Sequence, residues 1–219
     1  FSADLNVTQC PATTMNDTRY ILDETFSFSS TPCFDLTNTL NVEIDGQGHD
    51  FSGGGEFEIH ALGNAQLSVI TNIVHDNFHI EIQNNGNSIT FSDSHITNGH
   101  SFSYTGIGSG IPNTNRANMI IGLLGNFAST GSHENQLTIE NNRFESATLF
   151  PSQDDNNNLF HMYGITTPYY GFDLTIRNND FIGYGLTGRR LANNGAQGQA
   201  VLRPSRLIFE NNVLLDNRE

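Results

Sequence analysis

The stretch QLTIENNRF at 136–144 decides how this chain folds. Leu137 and Ile139 alternate with polar neighbours, an asparagine pair follows, and Phe144 resumes the apolar pattern. Period-two alternation is the mark of a short strand with one buried face, and the polar pair then turns the chain. The same phrase returns as DLTIRNNDF at 173–181 and RLIFENNVL at 206–214. Aligned on it, five segments fit the template L-x-I-x-x-N-x-F with apolar residues interchanging, starting at Leu67, Ile89, Leu137, Leu174 and Leu207. A phrase repeated at this scale points to stacked structural units rather than to one closed sheet.

A second apolar strand precedes most copies: FEIHAL at 57–62, FHIEI at 78–82, NMIIGLL at 118–124, LFHMYGI at 159–165 and AVL at 200–202. The copies are unevenly spaced, and the extra residues fall mainly at 97–117, 145–158 and 182–199. Stacked units place equivalent positions about 4.8 Å apart, so three such insertions lie side by side. Loops on one edge of a rigid scaffold are where recognition and catalysis concentrate. Leucine-rich repeats are excluded, because they require a leucine three residues before each strand. Here those positions are Asn64, Gly86, Glu134, Gly171 and Pro204.

In a parallel stack, a polar side chain at one turn of every coil bonds to its copies above and below and to local amides. Asn suits the place, since its amide both donates and accepts. The expected ladder is Asn72, Ser94, Asn142, Asn179 and Asn212, beside an internal stack of Val69, Phe91, Ile139, Ile176 and Phe209.

Upstream, CFDLTNTLNVEIDGQGHDFSG at 33–53 carries Asp45-Gly46, Gly48, His49 and Phe51 in the order seen in the first coils of right-handed parallel β-helix proteins. The chain resembles that pectate-lyase-like superfamily over roughly residues 18–219. The resemblance implies an all-β, right-handed parallel β-helix solenoid forming one domain over 1–219, with an N-terminal arm or cap at 1–33 and coils over 34–219. No C-terminal cap is legible after LIFENNVLLDNRE. The expectation is either a piece of a longer β-helix or an edge that pairs with another copy and grows into a filament.

Composition narrows the partners. A formal net charge of −14 argues against nucleic acid and anionic membrane surfaces. No apolar run reaches membrane-spanning length, so no membrane insertion is expected. All nine basic residues are Arg, which removes Lys, the residue most readily recruited as a pKa-shifted base. Cys10 and Cys33 are the only cysteines and read as one disulfide, against an alternative of two buried thiols. With glycosylation sequons at Asn6 and Asn16, they indicate an extracellular, surface-exposed protein.

Fold alone does not choose a function. The hydrolases of the superfamily carry paired carboxylates in a set signature, and here DD at 154–155 stands alone in SQDDNNN. Its lyases use Arg or Lys beside a uronate, with Ca²⁺ neutralising the carboxylate. That resemblance assigns Arg189 or Arg190 as base, His161 as helper, and Asp154 and Asp155 as a calcium site. Tyr104, Tyr163, Tyr169, Tyr170 and Tyr184 lie in or near the insertions, where aromatic faces stack on sugars or pin the loops. His75, His79, His95 and His100 do not fall on one legible face. The expected role is structural or adhesive, with glycan or another copy as partner and no cofactor beyond Ca²⁺. The alternative is a lyase or epimerase acting on uronate-containing glycans.

Overall fold

The computed structural model describes residues 1–29, 32–53, 57–61, 65–75, 78–82, 88–97, 102–103, 135–145, 172–182 and 206–215. These form eighteen strands, numbered β1–β18 along the chain, in three sheets, with no helix among the described residues. The first sheet runs β1 (Ala3–Gln9), β2 (Thr18–Phe28), β4 (Val42–Asp45), β7 (Ser68–Thr71), β10 (Ser88–Ser92), β13 (Asn135–Glu140), β15 (Phe172–Arg177) and β17 (Arg206–Glu210), with β5 (Ser52–Gly53) beside β2. The second holds β8 (Val74–His75), β11 (His95–Thr97), β14 (Arg143–Glu145), β16 (Asp180–Ile182) and β18 (Val213–Leu215). The third holds β3 (Phe34–Asp35), β6 (Phe57–Ala61), β9 (Phe78–Ile82) and β12 (Phe102–Ser103). Every strand pairing is parallel. Over β7–β12 the described strands thus follow one another in the order first, second and third sheet, twice.

Registration turns each strand's alternation into columns. Leu5, Tyr20, Ile44, Ile70, Phe91, Ile139, Ile176 and Phe209 stand in one column on the inner face of the first sheet. Aromatic rings make a second thread through the core. Phe34, Phe57, Phe78, Phe91, Phe144 and Phe181 follow one another at centroid separations of 6.2, 5.8, 5.1, 6.2 and 5.4 Å, with Phe144 and Phe181 stacked face to face. These rings are almost wholly buried, and burying such side chains is the main favourable contribution to folding.

The first copy of the template departs from its expected register by one residue. Ile70, not Val69, pairs with Phe91 and fills the inner column, while Leu67 is 62% exposed at a φ of 52°. Ile73 takes the buried place expected of Asn72, and Asn72 sits in the turn at a φ of 53°. The local sequence SVITNIV offers apolar residues at both 69/70 and 73/74, so the template fits in either frame. Left-handed backbone decides between them, because Asn tolerates it and β-branched Ile does not. The shift also brings His75, rather than Val74, into the core. His75 stacks on Phe51 at 4.9 Å and 10°, between Phe28 and Phe57, in the column continued by Ile96 and Phe144.

The asparagine pair has two separate duties. Its first member, at Asn72, Asp93, Asn141, Asn178 and Asn211, adopts φ between 52° and 58° and turns the chain. Its second member points inward. Asn142 Nδ2 donates to Asn179 Oδ1 at 3.0 Å and to Phe91 O at 3.1 Å, and Asn142 Oδ1 accepts from Ser94 N at 3.0 Å. One pass on, Asn179 Nδ2 donates to Asn212 Oδ1 and to Ile139 O, each at 3.0 Å. The backbone amides of Asn142 and Asn179 donate to the same oxygens, at 2.9 and 3.0 Å. Ser94 Oγ continues the series by accepting from Ile73 N at 3.0 Å. Each buried amide at the turn therefore finds its acceptor in the side chain of the next pass, as buried backbone groups must.

Within residues 1–33, expected as an N-terminal arm or cap, β1 and β2 continue the register of the first sheet at its end. Cys10 and Cys33 form a disulfide that ties β1 to the start of the third sheet, which fits an oxidising compartment. In the IDGQG turn, a Cβ on Gly46 would lie 2.4 Å from Asn72 O, so only glycine lets the two passes approach. Phe102–Ser103, within the stretch expected to be loop at 97–117, pairs with β9 and belongs to the third sheet. The strands expected at 118–124, 159–165 and 200–202 lie outside the described residues.

Asp45, just before that turn, is a buried carboxylate held by Arg19 Nη2 at 2.5 Å, Asn72 Nδ2 at 3.0 Å and Gln47 N at 2.9 Å. Burial pushes its carboxyl up, but the bonds from Asn72, Gln47 and Arg19 and the charge of Arg19 outweigh it and hold the carboxyl below its ordinary value. A depressed carboxyl contributes stability in full above the unfolded value, near pH 4, and loses it as pH falls through the lower folded value. Asp45→Asn is expected to cost about 2 kcal/mol at neutral pH through the lost charge-assisted bonds. The difference from wild type should shrink below about pH 4, as urea unfolding at stepped pH would show.

Candidate functional site

The outer face of the second sheet collects charged residues that the rest of the fold does not need. Ile96, Phe144 and Phe181 face inward, so His95 and Thr97, Arg143 and Glu145, and Asp180 and Ile182 face outward. Registration puts His95, Arg143 and Asp180 in one row and Thr97, Glu145 and Ile182 in the next. Their positions follow from the asparagine turn. In β11, β14 and β16 the buried ladder residue is followed at one and three places by outward residues and at two by an inward apolar side chain.

The side chains converge on Glu145. His95 Nε2 lies 3.0 Å from Glu145 Oε2, and Arg143 Nε donates to Glu145 Oε1 at 2.7 Å, with Arg143 Nη2 on the same oxygen. Arg143 Nη1 also lies 3.6 Å from Asp180 Oδ2. The bond from His95, then those from Arg143 with its charge, holds the Glu145 carboxyl below its ordinary value. Glu145 is thus an acceptor on both oxygens, which makes Nε2 of His95 the donor. An imidazole oriented by a carboxylate is the arrangement used for general acid or base work, and a guanidinium adds a planar donor set for carboxylate or hydroxyl groups.

Exposed ion pairs contribute at most about 1 kcal/mol each, so stability alone gives little reason for this group. Its location gives more. Glu145 and Ile182 are the last described residues before 146–171 and 183–205, and they are the first residues of the long insertions at 145–158 and 182–199. The cluster therefore directly precedes those segments in the sequence.

Other expected site residues divide as follows. Arg189, Arg190, His161, Tyr104, Tyr163, Tyr169, Tyr170, Tyr184, Asp154 and Asp155 lie outside the described residues. Asn6 and Asn16 are exposed on and after β1. Of the histidines, His75 is in the core and His95 on the outer face of the second sheet. His95, Arg143 and Glu145 were legible only through the ladder: counting one and three places past Ser94 and Asn142 in register finds them. No family model, no curated protein and no solved structure matches the chain.

Proposed function

We propose that the chain is a right-handed parallel β-helix of the pectate-lyase-like kind, acting outside the cell as a structural or adhesive module whose insertions bind glycan. The reading is supported chiefly by the His95–Arg143–Glu145–Asp180 cluster, registered on a rigid sheet beside the segments that carry the insertions. A rigid platform with variable loops along one edge is a common design for recognition.

Binding to a glycan array is the test. The wild-type protein should retain a restricted set of glycans, and Arg143→Ala combined with His95→Ala should weaken that binding roughly tenfold or more, the scale of losing anchoring polar contacts. An array with no specific binder, or binding indifferent to both substitutions, would sink the proposal.

The oriented His95–Glu145 pair favours one second reading, a lyase or epimerase acting on uronate-containing glycans, with Arg189 or Arg190 as base and Ca²⁺ at Asp154 and Asp155. Incubation with uronate polysaccharides, with and without Ca²⁺, separates the two. Unsaturated products that disappear on replacing Arg189 or Arg190 support the enzyme.

A further inference from the structure

The outer face of the first sheet carries an uncharged row that the fold does not account for. In β10 and β13, Ile89, Phe91, Leu137 and Ile139 are buried, which places Thr90 and Thr138 outward. Register sets Val69 of β7, Thr90, Thr138, Thr175 of β15 and Ile208 of β17 side by side. All five are partly exposed. At a strand separation of about 4.8 Å the row is about 19 Å long. It stops at Glu43 of β4, which pairs with Val69 and is held by Arg19 Nε at 2.8 Å.

Three properties separate this row from an ordinary strand surface. Every member is β-branched, so its side chain is stiff at χ1 and gives up little freedom on contact. The propensity of such residues for strands explains them singly, but it does not require an unbroken uncharged row on a chain with a net charge of −14. The hydroxyls of Thr90, Thr138 and Thr175 have no hydrogen-bond partner among the described residues, whereas in the next row Ser92 Oγ donates to Thr71 Oγ1 at 3.2 Å. Charges in that next row engage each other, with Arg177 Nε 2.6 Å from Glu140 Oε2.

Each threonine offers one methyl and one hydroxyl, repeated at every strand. A repeating surface is matched by a repeating ligand. An extended chain of hexopyranose rings advances by a similar distance per ring and joins a C–H face to hydroxyl edges, so it lays one ring on each strand with apolar contact below and hydrogen bonds at the margin. The neutral row selects an uncharged chain, since a polyanion would meet the carboxylates of Glu43 and Glu140 in an acidic protein.

We propose that Val69, Thr90, Thr138, Thr175 and Ile208 form a binding strip for one extended, uncharged polysaccharide chain running across the strands of the first sheet. The strip lies on a different sheet from the His95–Arg143–Glu145–Asp180 cluster and does not depend on it.

Depletion by insoluble cellulose, chitin and mannan, read as unbound protein against solid added, tests the strip in the whole chain. At least one of the three should retain the wild type, and retention should persist in high salt, as an uncharged contact requires. Thr138→Arg, which sets a long charged side chain on the middle of the strip, should weaken retention at least tenfold. Thr90→Val combined with Thr175→Val keeps shape and branching but removes two hydroxyls, and should weaken retention severalfold with an unchanged circular dichroism spectrum. Glu24→Arg, at an exposed position on β2 outside the strip, should bind as wild type does. Retention by none of the three solids, or equal retention of wild type and Thr138→Arg, would overturn the proposal. So would a dimer in sedimentation that Thr138→Arg dissociates, because the strip would then belong to a second copy.

Discussion

Replacing Phe144 by alanine is expected to lower the unfolding free energy by about 4 kcal/mol, the largest effect of any single substitution considered. Phe144 is 1% exposed, stacks on Phe181 at 5.4 Å and meets Phe91 at 6.2 Å. Its removal takes away the buried ring and leaves a void between two passes that strand pairing holds in place, so neither neighbour closes the gap fully. Leucine at the same position should recover more than half of the loss, since volume rather than aromatic geometry dominates. Urea unfolding followed by far-ultraviolet circular dichroism measures both variants. A cost for Phe144→Ala below about 1 kcal/mol would mean that the ring is not in the core.

Asn142→Ala should cost about 3 kcal/mol, although it removes no apolar surface. The side chain satisfies Ser94 N, Phe91 O and one side of Asn179 Oδ1. Truncation leaves the buried Ser94 amide without its acceptor and the Phe91 carbonyl without this donor, and an unmet buried group costs about 1–3 kcal/mol. Asn142→Asp separates hydrogen bonding from size. It keeps the acceptor for Ser94 but sets a carboxylate against two oxygens, so it should be at least as damaging at neutral pH and partly relieved in acid. The adjacent Asn141 supplies the internal contrast. It is exposed and serves the turn through a φ of 58°, so Asn141→Gly should change stability by a few tenths of a kcal/mol. A threefold or greater difference between neighbouring asparagines is the signature of their separate duties.

Much of the scaffold is written in the sequence where both members of the turn are asparagine. The copies at 137–144, 174–181 and 207–214 have one alignment, and their strands and buried rungs fall where that alignment puts them. The first copy misleads because TNIV permits two frames; the left-handed turn at Asn72, a backbone property, chooses between them. His75 was not legible as a core residue because the pattern counts apolar side chains, whereas an imidazole packs among Phe28, Phe51 and Phe57 as a flat ring. Long-range register hid the rest. Glu145 is 50 residues from His95, and the uneven insertions mask a distance that becomes one strand spacing once the sheets pair. The site expected from the loops rested on residue types alone. The cluster on the second sheet instead requires knowing which residues share a face, which the ladder supplies.

Amide hydrogen exchange at Ser94, Asn142 and Asn179 tests the ladder most directly. These residues lie at or beside turns, where amides ordinarily exchange fast, yet Ser94, Asn142 and Asn179 each donate to an asparagine oxygen from the next pass. The expected result is protection equal to that of the neighbouring strand amides, with Ser94 alone of the three losing its protection in Asn142→Ala. Rapid exchange of all three in the native protein, or a Ser94 amide indifferent to Asn142→Ala, would contradict the ladder and with it the stacked arrangement on which the functional reading depends.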